Sequence, residues 1–218
     1  MMPLKISVCA LARGQEDQMN RVITISRDYG SGGHSIGRRV AAELGLEIYD
    51  KDIVRETVKA SGFDLELVLQ EEEDVSKGTS FLKSILANSA HYPDTQEAIH
   101  DIQKAVILQF ARKGPCVILG RCADVILREA GIEAFNVFIY ADDIHRAARV
   151  TELTGITNPT ELQRAMAKKD SSRRNYYTHY TGQKWGDSRN YHLSLDSGVL
   201  GADLCVKLIV DAVKNLED

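Results

Sequence analysis

The feature that most constrains this chain is a glycine-rich loop between a short β-branched run and a helical stripe. Residues 22–26 read Val-Ile-Thr-Ile-Ser, which is typical of a buried strand, and residues 36–44 carry apolar side chains at helical spacing. Gly30, Gly32 and Gly33 lie between them. A strand that ends in such a loop and opens a helix presents backbone N–H groups to an anion, and the helix N-terminus adds partial positive charge. The pattern predicts a phosphate-binding loop.

Two familiar loop fingerprints are only partly met, and a plain strand-to-helix turn stays open as an alternative. Ser35 stands where the dinucleotide pattern needs its third glycine. When Gly32 is aligned on the second glycine of the Walker A pattern, Gly33 takes the place of the lysine. Phosphoryl transfer needs a cation at the transferred group, so a cation from elsewhere has to replace the lysine, and Arg27 and Arg121 are the candidates. The predicted phosphate-binding residues are Gly30, Ser31, Gly32, Gly33, His34 and Ser35.

The rest of the chain alternates strand and helix patterns. Strands are predicted at residues 22–26, 46–50, 117–119, 136–140 and 191–195. Helices are predicted at residues 36–44, 53–60, 64–74, 80–90, 95–112, 123–130, 142–153, 158–174 and 204–216. This alternation is typical of a doubly wound parallel sheet. We therefore expect an α/β chain with a P-loop NTPase-like three-layer fold and a five-stranded parallel sheet.

The spacing of these elements suggests one domain with two specialised segments. Residues 21–218 form the predicted kinase-like domain, with a helical flap at about 51–113 and a lid at about 155–190. Residues 1–20 form an extension that we expect to be disordered, with an added edge strand as the alternative. Between residues 164 and 189 the chain has seven Lys or Arg and two Asp, in a protein of net charge −4. A mobile basic lid fits this pattern, and so does a solvated helix face.

Composition excludes several classes of function. A net charge of −4 argues against nucleic acid as a partner, so any phosphate affinity has to be local. No apolar stretch approaches the roughly 20 residues of a membrane span, so we expect no membrane association. The four cysteines make no CxxC and no metal knuckle, which predicts no structural metal and favours the cytoplasm.

Four stretches carry a family resemblance: Ile-Ser-Arg-Asp-Tyr-Gly-Ser-Gly-Gly-His-Ser-Ile-Gly at 25–37, Val-Ile-Leu-Gly-Arg-Cys-Ala-Asp at 117–124, the run at 175–187 from Asn-Tyr-Tyr to Trp-Gly-Asp, and residues 191–200. Together with Ile-Tyr-Asp-Lys-Asp-Ile at 48–53 they resemble the cytidylate kinase-like family of bacterial proteins. The resemblance implies a nucleoside monophosphate kinase fold with a P-loop core, a monophosphate-binding flap and an arginine-rich lid.

The resemblance also implies roles for single residues. Arg121 matches an arginine that touches the acceptor phosphate, Arg146 and Arg149 match the pair that opens the lid, and Asp196-Ser197 matches a pair that ends the last strand. The residues predicted to bind the acceptor are Asp50, Arg121, Asp124, Asp170 and Arg173. The residues predicted to be catalytic are Arg27, Arg121, Arg149 and Arg173. The chain departs from the pattern at Gly33, at Cys122, which replaces an aspartate, and at Lys51, which replaces a base-contacting serine.

The sequence thus predicts an ATP- and Mg²⁺-dependent nucleoside monophosphate kinase with a small-molecule phosphate acceptor. Mg²⁺ would arrive with the nucleotide, with Ser35 and Asp124 as candidate ligands. The rival is a nucleotide-sensing or partner-binding protein with a degenerate loop, which the missing lysine favours. A kinase with a different acceptor is a third reading. The sequence leaves the oligomeric state open, with a homodimer as one arrangement.

Overall fold

The computed structural model describes residues 21–61 and 95–216. The predicted extension at residues 1–20 and the predicted helices at 64–74 and 80–90 lie outside the described residues. Much of the predicted flap therefore falls outside them as well.

The core of the fold is a five-stranded parallel sheet, as predicted. Its strands are β1 (Val22–Arg27), β2 (Glu47–Tyr49), β3 (Cys116–Leu119), β4 (Ala134–Tyr140) and β5 (Leu193–Asp196). They lie in the order β2-β3-β1-β4-β5, and every pairing is parallel. The central strand β1 thus ends between β3 and β4, at the carboxyl edge where open α/β sheets bind their ligands.

Helices cover both faces of the sheet. The helices are α1 (Gly33–Leu44), α2 (Lys51–Ser61), α3 (Thr95–Lys113), α4 (Ala123–Glu129), α5 (Asp143–Thr154), α6 (Pro159–Thr181) and α7 (Ser197–Asn215). Alternate strand residues point to opposite faces. Ile23 and Ile25 are fully buried in a core that includes residues of α1 and α7, whereas Val22 belongs to a second core with residues of α3 and α4. These two cores fix the loop after β1 between the layers.

The last third of the chain differs most from the prediction. Helix α6 continues to Thr181, seven residues past the predicted end near residue 174. Helix α7 begins at Ser197, because the Asp196 side chain accepts hydrogen bonds from the backbone N–H groups of Gly198 and Val199. The helix is then interrupted at Gly201, which has a φ of 72°. In the described part of the chain, no helix combines the length and hydropathy needed to span a bilayer.

Candidate functional site

The glycine-rich loop joins the end of β1 to the start of α1. Gly30 and Gly32 have φ values of 85° and 77°, in the left-handed region that favours glycine. A Cβ atom on Gly30 would lie only 2.9 Å from the carbonyl oxygen of Arg146 in α5, so the loop backbone presses directly on that helix. Gly32 is the N-cap of α1, and no side chain at this position accepts a hydrogen bond from the first backbone N–H groups of that helix. The loop therefore has the backbone approach and helix opening that suit an anion.

Two residues of α5 hold the loop in different ways. Arg149 donates from Nη2 to Ser35 Oγ at 2.7 Å, so its guanidinium lies over the start of α1. Arg146 donates from Nε to the Tyr29 carbonyl at 2.8 Å and forms a buried ion pair with Asp170. Asp170 in turn accepts a 2.8 Å hydrogen bond from the backbone N–H of Tyr29. Arg146 and Asp170 therefore fix the loop backbone, while Arg149 lies where a bound anion would meet it.

Arg27 runs from the end of β1 across the first residue of α1. A Cβ atom on Gly33 would lie 2.5 Å from Arg27 Cβ, so glycine is required where Walker A has lysine. The guanidinium reaches the sheet edge, with Nη2 at 3.6 Å from Asp50 Oδ1, and His34 Nε2 lies 3.4 Å from the other oxygen of that carboxylate. The Arg27 side chain is 17% exposed. Burial lowers the pKa of Arg27, and the charge of Asp50 partly opposes this shift.

A cavity of about 290 Å³ opens beside Arg27, at the carboxyl ends of β1 and β3 and against α6. It is lined by four cationic side chains, one carboxylate, four large aromatic side chains and five other residues. The lining residues are Ser26, Arg27, Tyr29, Asp50, Leu119, Gly120, Arg121, Cys122, Lys169, Ser172, Arg173, Tyr176, Tyr177 and Trp185. Its charge balance favours an anionic ligand, and its aromatic side chains suit a ring.

The predicted arginines Arg121 and Arg173 both line this cavity. Gly120, Arg121 and Cys122 have φ values of 70°, 60° and 56°, three consecutive left-handed residues, which is a strained arrangement typical of functional sites. Arg173 donates from Nη1 to the Arg27 carbonyl at 2.9 Å. Burial lowers the pKa of Arg121 and of Arg173 to about 10. Both therefore stay charged at neutral pH, in surroundings where water screens their attraction for an anion only weakly.

Two predicted acceptor ligands, Asp124 and Asp170, lie outside the cavity lining. Asp124 is 2% exposed and accepts a 2.7 Å hydrogen bond from the hydroxyl of Tyr177, which does line the cavity. Burial raises the pKa of Asp124. The two carboxylate oxygens of Asp170 bind the backbone N–H of Tyr29 and the guanidinium of Arg146. Asp124 can therefore act on a cavity ligand only through Tyr177, and Asp170 only through the loop.

The α6 side chains in the cavity share one helix face, which the sequence analysis did not identify as a unit. The spacing i, i+3, i+4, i+7, i+8 places them together. They are Lys169, Ser172, Arg173, Tyr176 and Tyr177. The prediction ended the helix near residue 174, so the tyrosines fell beyond it. Extending the helical pattern to Gly182, which has the left-handed φ of a helix C-cap, would have revealed this face.

Tyr176 and Tyr180 join α6 to α3 through an aromatic cluster. The Tyr176 hydroxyl donates to Gln103 Oε1 at 2.9 Å and lies 2.9 Å from His100 Nδ1. The His100 ring stacks on Tyr180 with centroids 3.7 Å apart. Tyr180 therefore packs against α3, whereas Tyr176 both bonds to side chains of α3 and lines the cavity.

A resident metal finds little support in the described ranges, 21–61 and 95–216, which hold no group of three or more metal-ligating residues. Asp124 does not fit as a magnesium ligand, because it is buried and bonded to Tyr177. Ser35 lies at the first turn of α1 and fits only if its hydroxyl exchanges its bond to Arg149. Magnesium that enters with a nucleotide needs few protein ligands, since it keeps several waters and phosphate oxygens.

Asp28 gives the loop a pH dependence that can be measured. Burial and, less strongly, the charge of Asp170 raise the pKa of Asp28 to about 6, although Arg146, Arg173 and Arg174 act to lower it. Below pH 6 Asp28 is neutral, and above it the new negative charge repels an anion at the loop. We expect sulfate affinity to rise by about twofold or more between pH 7.5 and pH 5. Calorimetric titration measures it, and Asp28→Asn should flatten the profile; an equal slope in both proteins would contradict this.

Comparisons with known proteins identify the family of the chain. The sequence model of the Cytidylate kinase-like family matches residues 22–199. The chain belongs to the cytidylate kinase-like family. A search among curated proteins gave no match. The family match spans both the glycine-rich loop and the cavity-lining face of α6, so the residues described above lie within the part that defines the family.

Solved structures with a similar fold include one whose sequence is more than a quarter identical to this chain. A crystal structure of an uncharacterized protein from Eubacterium ventriosum is 26% identical with a TM-score of 0.65, over 89% of this chain and 98% of that chain. A gluconokinase from Sinorhizobium meliloti is 15% identical with a TM-score of 0.53, over 91% and 94% of the two chains. A sugar kinase from Janibacter is 13% identical with a TM-score of 0.51, over 89% and 95%. This cytidylate kinase-like chain thus shares its fold with a gluconokinase and a sugar kinase.

Proposed function

We propose that this protein is an ATP- and magnesium-dependent kinase that phosphorylates a nucleoside monophosphate. The observation that carries the proposal is the cavity beside the glycine-rich loop, where four cationic side chains face one carboxylate and four aromatic side chains. This combination suits a nucleoside monophosphate, because an arginine can bind two phosphate oxygens at once and an aromatic ring can stack on the base. Family membership supports the same class of reaction.

Each group has a role that follows from its place. The backbone amides of residues 30–35 hold the donor phosphates, and Arg149 adds charge over that loop. Arg121 and Arg173 hold the acceptor phosphate from the cavity wall. Arg27 lies between loop and cavity and stabilises charge on the transferred group. Magnesium would enter with the nucleotide and would neutralise part of the charge on the donor phosphates.

The proposed reaction requires few further side chains. Phosphoryl transfer depends on positioning and electrostatic stabilisation, so no nucleophilic side chain is required. Asp50 holds the Arg27 guanidinium at the cavity edge, and Asp124 orients the Tyr177 hydroxyl. The thiols of Cys116, Cys122 and Cys205 are free and buried, which fits the cytoplasm that we propose as the compartment.

A panel of nucleoside monophosphates, each incubated with ATP and Mg²⁺ and scored for nucleoside diphosphate, tests the proposal. We expect one or a few monophosphates to give diphosphate and Arg121→Ala to raise the KM for that acceptor by about tenfold or more. The exposed Arg128→Ala at the far end of α4 is the matched control and should behave as wild type. ATP binding without transfer to any monophosphate would favour the nucleotide-sensing alternative. The observation that favours this alternative is Gly33 in the position of the Walker lysine.

A further inference from the structure

Trp185 forms a wall between the cavity beside Arg27 and a second cavity. The second cavity has a volume of about 440 Å³ and lies at the carboxyl ends of β4 and β5. Its lining residues are Asp28, Phe138, Tyr140, Arg174, Trp185, Gly186, Ser188 and Ser194. Trp185 is the residue that both lining sets share. Its indole therefore determines whether a ligand in the first cavity can extend into the second.

The indole is held firmly in this position. Its ring meets Phe138 edge-on, with centroids 5.4 Å apart and an interplanar angle of 84°, and the Arg174 guanidinium carbon lies 6.0 Å from the indole centroid. Gly186 follows directly with a φ of 73°, and a Cβ atom there would lie 3.2 Å from Phe138 Cζ. The loop is closed by a 3.0 Å hydrogen bond from Asn190 Nδ2 to the Lys184 carbonyl. The wall is thus a built feature of the fold.

The two cavities differ in charge, which decides what could pass between them. The first cavity carries four cationic side chains and one carboxylate. The second balances the Asp28 carboxylate against the Arg174 guanidinium and is otherwise lined by aromatic, hydroxyl and glycine residues. A phosphate therefore stays in the first cavity. An uncharged aromatic group attached to the far end of the ligand is what the second cavity would accept.

We propose that Trp185 is a specificity-determining residue that sets the size limit of the acceptor. With the indole in place, an acceptor in the first cavity cannot extend past it into the second. Without it, the two cavities join, and acceptors with a bulky substituent on the base can bind. This inference rests on the proposed function, because it takes the first cavity as the acceptor site.

Equilibrium binding by calorimetry tests the inference without turnover. The probes are cytidine monophosphate, or the panel monophosphate that wild type binds in its place, and the same nucleotide with a phenyl group on its base. Wild type should bind the phenyl nucleotide at least tenfold more weakly than the parent. Trp185→Ala should bind the phenyl nucleotide at least tenfold more tightly than wild type does and the parent nucleotide more weakly. Trp185→Leu, which keeps some packing on Phe138, serves as a second variant in case the alanine variant does not fold.

Tyr140→Ala is the matched control, because Tyr140 lines only the second cavity and its truncation leaves the wall intact. This variant should reject the phenyl nucleotide as wild type does; acceptance by it would overturn the assignment of the wall to Trp185. If wild type binds the parent nucleotide and both folded Trp185 variants still reject the phenyl form, the inference fails and the proposed function stands. If folded wild type binds no monophosphate of the panel, the proposed function fails and the inference falls with it.

Discussion

Replacement of Arg27 by alanine is expected to lower turnover by about 10²-fold or more while changing nucleotide affinity little. The reason is that its guanidinium lies between the loop and the cavity, where charge develops on the transferred phosphoryl group, and that Gly33 supplies no cation there. Asp50 and the backbone contact from Arg173 hold Arg27 in this place. Loss of a residue that binds the ground state and the transition state equally would raise KM and leave kcat unchanged.

The measurement is steady-state kinetics with the acceptor that the monophosphate panel identifies, alongside calorimetric titration of ATP. Arg27→Lys should retain more activity than Arg27→Ala, because it keeps a positive charge while losing the planar fork. Arg128→Ala again controls for the loss of an arginine at an exposed site. Unchanged turnover in Arg27→Ala would make Arg27 a structural residue and move the search for the missing cation to Arg149.

Restoring the Walker lysine by Gly33→Lys is expected to abolish activity, with turnover at least about 10²-fold below wild type. Any side chain at this position begins with a Cβ atom 2.5 Å from Arg27 Cβ and 2.9 Å from its Cγ. Real Cβ atoms do not approach so closely, so Arg27 or the first turn of α1 has to shift. Gly33→Ala, which adds that atom alone, should lower the free energy of unfolding by about 1–3 kcal/mol.

A double-mutant cycle separates the steric contact between residues 27 and 33 from other effects of the Gly33 substitution on stability. The change Gly33→Ala should cost less stability in an Arg27→Gly background, because that background has neither the Cβ nor the Cγ atom that the new methyl group meets. Chemical denaturation measures the coupling, and neighbouring residues in contact typically give 0.5–3 kcal/mol. Additive effects would show that Arg27 and Gly33 are independent, and would leave the glycine in the lysine position unexplained.

The loop and the sheet were predictable because their signals are local. A β-branched run, three close glycines and an amphipathic stripe specify strand, tight loop and helix, and parallel strands bring Arg121 to the edge where Arg27 ends. The resemblance added the positions of Arg149 and Arg173, which the structure places at the loop and in the cavity.

The parts that sequence reasoning missed depend on tertiary contacts. Asp170 resembles a residue that binds the acceptor, but its carboxylate is taken up by the Tyr29 backbone and Arg146, neither of which is near it in sequence. Asp124 is likewise buried against Tyr177 from a different helix. The space behind Trp185 depends on how closely Gly186 approaches Phe138, and no periodicity reports that distance.

Helix α6 is tied to the loop backbone at two successive turns. Asp170 accepts from the N–H of Tyr29, and Arg173 donates to the carbonyl of Arg27. The same helix supplies one face of the cavity, so the loop and the cavity share a structural element. If a ligand at the loop changes affinity in the cavity by some factor, a ligand in the cavity must change affinity at the loop by the same factor.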